Sequence, residues 1–146
     1  MTLGHRQRWP LTGDLALLRE RVELFGMAHG LRGDALQDLV ITVNEAASNA
    51  LEHGGSTGTA TLVEDGTGVQ VEIVDSGGTL EPYHLDRAPD PRAIRGMGLW
   101  IIQRICRDVT VDHPGGQSRL RFRVSSGVAS GDKGDAMPGS AAEPLL

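Results

Sequence analysis

The stretch from Asp34 to Gly55, DALQDLVITVNEAASNALEHGG, predicts one long amphipathic helix with two different faces. On one face, apolar residues recur at spacings of three and four, as in a helix that packs against a core. These residues are Leu36, Leu39, Val40, Val43, Ala47, Ala50 and Leu51. On another face Glu45, Asn49 and His53 recur every four residues, so they stack along the helix axis about 6 Å apart. A carboxylate and a carboxamide one turn apart can bind the same ligand.

The segment before this helix predicts a strand and another helix. Residues 5–11 have the pattern of an edge strand, a position that suits Pro10 because an edge leaves some N–H positions unpaired. A helix from about Leu15 to His29 follows, with Thr12 or Asp14 as its N-cap. Its apolar side consists of Leu15, Leu18, Val22, Phe25 and Met27.

The segment after the central helix predicts a β-hairpin that ends in a glycine-rich turn. Residues 59–64 and 69–74 have the composition of strands, and Asp65-Gly66-Thr67-Gly68 between them is a hairpin signal. The second strand ends on Asp75, which is followed by Ser-Gly-Gly-Thr. Residues 80–95 then form a long loop with three prolines, of the kind that is usually a lid or disordered.

The next segment predicts a helix and a second hairpin. Arg95-Gly96-Met97-Gly98 precedes a helix over residues 99–107, LWIIQRICR, in which Cys106 is a small buried hydrophobe. Residues 108–113 and 118–124 are the strands of the last hairpin.

These elements follow the order strand, helix, helix, strand, strand, lid, helix, strand, strand. We predict an α+β two-layer sandwich, with a mixed, mainly antiparallel sheet and the helices on one face. A chain of 146 residues is long enough for one domain with its own core. We place the domain at residues 1–124 and a disordered tail at residues 125–146, because the tail has almost nothing apolar to bury.

Composition argues against several classes of function. The formal charge of −5, without any basic block, argues against direct nucleic-acid binding. No apolar run reaches membrane-spanning length and the N-terminus lacks the apolar middle of a signal peptide, so we expect a cytoplasmic protein without membrane contact. The single cysteine, Cys106, excludes an internal disulfide and a cysteine-rich zinc site.

Three polar features at the ends of these elements predict a site for a nucleoside triphosphate with magnesium. Asn49 offers an oxygen to Mg²⁺, and Glu45 one turn away can orient or deprotonate an attacking hydroxyl. Asp75, at the end of a strand, is an acceptor for an amino group. Gly96-Met97-Gly98 lets the backbone approach phosphate oxygens, to which the following helix N-terminus offers free N–H groups.

Single residues exclude other kinds of nucleotide site. The only lysine, Lys133, lies in the tail, which excludes a P-loop and a eukaryotic-type protein-kinase strand lysine. Ile101 stands where a Rossmann motif has its third glycine.

Three motifs together resemble the N, G1 and G2 boxes of the GHKL ATPase superfamily, which includes gyrase, histidine kinases and mismatch-repair ATPases. These motifs are Glu45-x-x-x-Asn49, Asp75-x-Gly77 and Gly96-x-Gly98. Each motif is weak alone, but their order and spacing cover the chain to about residue 124 and imply a Bergerat-type ATP-binding fold. Within the superfamily, NEAASNALEHG and GMGLWIIQRICRDV resemble the bacterial anti-sigma factor serine/threonine kinases. No helix with a phospho-acceptor histidine precedes the motifs, which disfavours a complete sensor histidine kinase.

The resemblance implies a role for each matching residue near the adenine and the metal. Glu45 is implied as the catalytic acid that activates the substrate hydroxyl, and Asn49 as the magnesium ligand. Asp75 is implied as the acceptor for the adenine amino group, with Gly77 beneath the base. Ser118 falls where the family often has a threonine that supports the adenine pocket.

The phosphate end of the site is implied in the same way. Gly96, Met97 and Gly98 resemble the backbone cradle for the phosphates of ATP, and residues 80–95 resemble the ATP lid. Arg95 can reach a phosphate, and an exposed lid arginine is an equal alternative.

The resemblance implies an Mg-ATP-dependent kinase that phosphorylates an anti-anti-sigma (STAS-type) partner and sequesters a sigma factor, and it implies a homodimer. Two alternatives stay open: a non-catalytic ATP-binding partner-switching module, and a stand-alone ATPase module of a histidine-kinase system. Thr79 stands where the D-x-G-x-G pattern of the family has its second glycine, which favours the non-catalytic module. An intact Glu45 favours the kinase.

Overall fold

A five-stranded antiparallel sheet forms one layer of the computed structural model, which describes residues 4–53, 57–78, 80–81 and 97–126. The strand order is β1-β2-β3-β5-β4, and each neighbouring pair is antiparallel. The strands are β1 (His5–Pro10), β2 (Gly58–Glu64), β3 (Gly68–Asp75), β4 (Arg107–Asp112) and β5 (Ser118–Ser125). The helices are α1 (Leu15–Ala28), α2 (Gly33–His53) and α3 (Met97–Ile105). Within these ranges, no helix is both long and apolar enough to cross a membrane.

The two faces of the sheet differ in chemistry. One face packs against the helices and contributes alternate buried residues, namely Val69, Val71 and Ile73 of β3 and Leu120, Phe122 and Val124 of β5. On the other face Glu72 lies between two arginines, with nitrogen–oxygen distances of 3.8 Å to Arg119 and 3.1 Å to Arg121. An antiparallel sheet with one apolar and one charged face needs helices on the apolar side only. The predicted α+β two-layer sandwich is therefore confirmed.

Helix α2 lies at the centre of the core and buries one stripe along its length. Four predicted positions are buried, Leu39, Val43, Ala47 and Ala50, and the stripe also includes Thr42 and Ala46. The Thr42 hydroxyl donates to the Asp38 carbonyl at 2.6 Å, so this buried polar group is satisfied within the helix.

Helix α1 begins at a predicted N-cap residue and ends one residue before the predicted end at His29. The Asp14 carboxylate accepts from the backbone N–H of Leu17 at 2.9 Å, so Asp14 is the N-cap. The helix ends at Ala28, and Gly30 follows with a φ of 92°. The prediction that Met27 belongs to the apolar side was wrong, since this side chain is 57% exposed. Two residues along a helix rotate the side chain by about 200°, so burial of Phe25 directs Met27 to solvent.

The helix and the two strands of the C-terminal part of the domain are each shifted by one or two residues from the sequence prediction. The last helix was predicted to reach residue 107, but α3 ends at Ile105 and Arg107 begins β4. Asp108, the second residue of β4, has a φ of 55°, a left-handed conformation that aspartate tolerates, and it lies where the pairing of β4 with β5 shifts in register between Arg107 and Thr110. Strand β5 continues to Ser125, which pairs with Gly68, one residue beyond the predicted end of the domain at residue 124. The remainder of the predicted tail, residues 127–146, lies outside the described part of the chain.

Cys106 follows α3 and is buried against the core, as predicted. Its backbone N–H donates to the Ile102 carbonyl at 2.7 Å. Burial raises the pKa of the thiol to about 11, so Cys106 is neutral and behaves as a small apolar side chain.

Candidate nucleotide-binding site

Two polar residues of α2, Glu45 and Asn49, lie close to Gly98, the second residue of α3. A methyl group added at Gly98 would lie 2.8 Å from Oε1 of Glu45 and 3.2 Å from Nδ2 of Asn49. Only glycine allows the backbone of α3 to approach these two side chains so closely. The structure therefore brings together three predicted site residues: Glu45, Asn49 and Gly98.

His53, the third member of the polar line, has a different environment. It lies at the last position of α2, its side chain is 59% exposed, and its Nε2 is 3.7 Å from a carboxylate oxygen of Glu52.

Two predicted adenine-pocket residues are neighbours on the central strands. Asp75 ends β3 and pairs in register with Ser118, which begins β5. Both are buried, with 6% of Asp75 and 1% of Ser118 exposed. The backbone N–H of Gly77 donates to Oδ1 of Asp75 at 2.9 Å, which leaves acceptor sites on the carboxylate for a ligand.

Burial raises the pKa of Asp75 above its ordinary value, although hydrogen bonds from the amides of Gly77 and Gly78 and the nearby His113 oppose the shift. The charged carboxylate is thus less well solvated than in water. A buried acceptor of this kind, at the end of a strand, is suited to bind an amino group of a ligand.

The turn after Asp75 is packed against the loop between β4 and β5. Gly78 has a φ of 66°, and a methyl group there would collide with the carbonyl oxygen of Gly116. The close approach to the backbone of Gly116 is made by Gly78, the neighbour of the predicted site residue Gly77. Two consecutive glycines, Gly77 and Gly78, were the sequence signal for a close backbone approach in this turn. Which of the two lies against another part of the backbone depends on the position of Gly116, which the sequence does not show.

The start of the predicted lid is fixed by Ser118, a predicted site residue, and by His113, which sequence analysis missed. The Leu80 backbone N–H donates to the Ser118 hydroxyl at 3.1 Å, and Nε2 of His113 lies 2.6 Å from the Leu80 carbonyl oxygen. The same Nε2 lies 3.7 Å from a carboxylate oxygen of Glu81. Leu80 is thereby held on both sides. A histidine directly before Pro114-Gly115-Gly116 was the only sequence signal for this role.

The end of β3 lies close to the residues that follow α2. The backbone N–H of Ser76 donates to the Thr57 carbonyl at 2.9 Å, and Thr57 N–H donates back to the Ser76 hydroxyl at 3.3 Å. Only residues 54–56 separate α2 from Thr57. The C-terminal part of α2 and the Asp75 turn are therefore at the same end of the sheet.

Part of the predicted phosphate cradle lies outside the described residues. Arg95 and Gly96 are outside, as are Thr79 and most of the predicted lid. Met97 is described as the first residue of α3, which places the N-terminus of that helix beside Gly98.

An α+β sandwich with this arrangement belongs to the class of GHKL-type ATP-binding domains. Residues 9–124 match the model of a family described as the histidine kinase-like ATPase domain. Since the match spans most of the 146 residues, the chain belongs to this family.

A curated relative points to the same superfamily. The chain is 25% identical over 109 residues to Serine-protein kinase RsbW of Oceanobacillus iheyensis, an alignment that covers 64% of this chain and 69% of that protein. The predicted resemblance to the histidine kinase-like ATPases is confirmed, and the similarity to a serine-protein kinase agrees with the kinase branch of that prediction. Binding of ATP is the property that the family implies.

Proposed function

We propose that this chain is an Mg-ATP-dependent protein kinase that phosphorylates a serine or threonine of an anti-anti-sigma (STAS-type) partner and also sequesters a sigma factor. The observation that carries the proposal is the contact of Gly98 with Glu45 and Asn49. A carboxylate and a carboxamide therefore lie beside the N-terminus of α3, where phosphates are favoured, and a carboxamide oxygen is a ligand that Mg²⁺ accepts. Similarity to a serine-protein kinase supports the choice of acceptor.

The adenine end of the proposed site is formed by the β3–β5 pair. Asp75 accepts from the adenine amino group, and the turn at Gly77 and Gly78 lets the base approach the backbone. The Ser118 hydroxyl, which accepts from the Leu80 N–H, supports the pocket by fixing the residue that leads into the lid.

The phosphate end is formed by α2 and α3. The backbone of Gly96, Met97 and Gly98 donates to phosphate oxygens, and Arg95 reaches the same phosphates. Asn49 is the protein ligand of Mg²⁺, which in phosphate sites typically has few protein ligands and retains several waters. When bound, the ion supplies neutralisation of phosphate charge.

Transfer needs one proton acceptor. The hydroxyl oxygen of the partner's serine or threonine bonds to the γ-phosphorus of ATP while the bond from that phosphorus to the ADP oxygen breaks. The hydroxyl proton moves to the Glu45 carboxylate, and ADP is the leaving group. Positioning and charge neutralisation supply most of the acceleration, because little covalent chemistry is left to the protein.

The partners are proposed from the same resemblance. Different affinities in the ATP-bound and ADP-bound states would exchange the sigma factor for its antagonist. We place the homodimer contact at α1 and β1, because β1 is an edge strand of the sheet with mostly exposed residues.

The decisive experiment is phosphotransfer with a charge-removing variant. The purified chain is incubated with labelled ATP, Mg²⁺ and STAS-type proteins from the same genome, in parallel with Glu45→Gln. We expect label on a serine or threonine of one partner, loss of that label in Glu45→Gln, and unchanged ATP binding. Glu52→Gln, the same exchange two turns along α2, is the matched control and should transfer normally.

Binding of ATP without transfer to any of these partners would refute the kinase and favour the non-catalytic partner-switching module. Slow hydrolysis of ATP without a phosphorylated partner would favour the stand-alone ATPase module instead.

A further inference from the structure

A cluster of two histidines and a glutamate joins three elements at the end of the sheet that is remote from Asp75. His5 begins β1 and pairs in register with Glu64, the last residue of β2, while His29 caps the C-terminus of α1. Nδ1 of His29 lies 3.8 Å from Oε1 of Glu64, and the ring centroids of His5 and His29 are 4.4 Å apart. One ligand atom from each residue lies within 4.8 Å of the other two.

The cluster is largely held in place by its surroundings. The His29 ring also contacts Phe25, at a centroid distance of 4.6 Å, and only 19% of the His29 side chain is exposed. Glu64 is 13% exposed. His5 is exposed, so its ring can adjust, whereas the other two residues present a partly preformed pair of ligands.

We propose that His5, His29 and Glu64 form a binding site for Zn²⁺. Imidazole nitrogens and a carboxylate oxygen are ligands that zinc accepts, and three protein ligands leave a fourth position for water. Magnesium prefers oxygen ligands, so the cluster does not suit the metal that accompanies ATP.

The observed distances are close to those of a zinc site. Ligands about 2.0–2.1 Å from a tetrahedral zinc ion lie roughly 3.3 Å from one another. The 3.8 Å between His29 and Glu64 is only slightly longer. The other two distances, which both involve the exposed His5, are within 4.8 Å, and a rotation of the His5 side chain would shorten them.

The site is separate from the nucleotide pocket. Glu64 is at one end of β2, and Gly58, which pairs with Asp75, is at the other. Six residue steps along a strand span about 20 Å. A bound ion would therefore join the edge strand β1 to α1 and β2 without contacting ATP, and the inference does not depend on the proposed kinase activity.

The test is zinc binding by the full chain without a histidine tag and without nucleotide. Calorimetry with zinc chloride should give one Zn²⁺ per chain, and the melting temperature should rise because the ion binds the folded state. His5→Gln should weaken binding at least about tenfold, since loss of even an outer-shell partner has an effect of that size. Glu64→Gln should weaken binding in the same way.

His53→Gln is the matched control, because it removes a histidine from a different part of the fold, and it should bind zinc like the wild type. Because His5 is exposed, His5→Gln should keep the far-ultraviolet circular dichroism of the wild type. Equal zinc affinity in the wild type and in both ligand variants would overturn the proposal. So would the absence of any zinc-dependent rise in melting temperature, or an equal loss of affinity in His53→Gln.

Discussion

The hairpin turn before β3 and the last position of β3 each have an aspartate, and the two carboxylates have opposite environments. Asp65, just before the strand, lies 2.6 Å from a guanidinium nitrogen of Arg123, which lowers its pKa. Asp75, the last residue of the strand, is buried and accepts from backbone amides, and its pKa is raised. The fold thus stabilises the negative charge of Asp65 in the turn before β3 and disfavours the negative charge of Asp75 at the end of the strand.

The difference shows which end supports stability and which end supports binding. A carboxylate paired with an arginine is satisfied without any ligand. A buried carboxylate that lowers folding stability in its charged form is characteristic of functional sites, where stability is commonly sacrificed. We call residues around Asp65 and Arg123 the hairpin end and residues around Asp75, Ser118 and Gly98 the pocket end. Substitutions should therefore affect stability at the first and function at the second.

The largest expected effect is at Gly98. In Gly98→Ala the new methyl group displaces the Glu45 carboxylate, and since a catalytic group misplaced by 1 Å can cost about 100-fold, we expect a loss of that order in phosphotransfer. The fold should tolerate the substitution at a cost below about 1 kcal/mol, because the end of the Glu45 side chain can rotate away. Transfer assays and thermal melts of the same preparations measure both quantities.

The matched control is Gly13→Ala, since a methyl group at Gly13 meets no atom within 4 Å. Gly13→Ala should leave transfer and stability unchanged. Normal transfer by Gly98→Ala would show that the α2–α3 contact is not part of the active site.

The next effect is at Asp75. Because a hydrogen bond to a charged group contributes about 1.5–3 kcal/mol, Asp75→Asn should weaken ATP binding by roughly 10- to 100-fold and remove most of the thermal stabilisation by ATP. The nucleotide-free variant should melt at the wild-type temperature or above it. The folded pKa of Asp75 is raised above 3.8, so its charged form costs stability at neutral pH, and the amide removes that cost.

The pH dependence gives an internal check. The stability difference between Asp75→Asn and the wild type should shrink as the pH falls towards 3.8, where the wild-type carboxyl also becomes neutral. A clearly lower melting temperature for the nucleotide-free variant at neutral pH would mean that Asp75 is a structural residue like Asp65.

The smallest effect is at the hairpin end. The Asp65 side chain is 46% exposed, so Asp65→Asn should cost only about 0.2–1 kcal/mol of stability at neutral pH. Since the folded pKa of Asp65 is lowered, its contribution is complete above 3.8 and is lost as the pH falls below that value. Denaturant unfolding at neutral and acidic pH measures the change, and ATP binding should stay unchanged.

A double-mutant cycle with Arg123→Gln isolates the pair. Arg123→Gln should cost less in the Asp65→Asn background than alone, because the shared interaction is then already absent. Additive costs would show that Arg123 stabilises β5 through packing and not through Asp65.

Most of the fold could be predicted, because its signals are local. The spacing of Leu39, Val43 and Ala50 in α2 and the hairpin turn before β3 depend on residues close in sequence. The errors in side-chain burial and in helix length occurred where packing in the folded protein, and not the local sequence pattern, determines the structure. Met27 faces solvent because Phe25 occupies the core, and α3 ends early because the chain must turn to pair β4 with β5.

The sequence by itself determined the order of the strands and helices, the polar line of Glu45 and Asn49, and the spacing of Gly96 and Gly98 around the start of the last helix, since periodicity and glycine spacing are local properties. Only the tertiary structure decided that Gly98 lies against Glu45 and Asn49. It also decided that His113 and Ser118 hold Leu80 in place. Finally, it decided that Asp75 is buried whereas Asp65 forms an ion pair with Arg123. These contacts depend on strand register and on loop closure between residues far apart in the chain, and no local pattern encodes either.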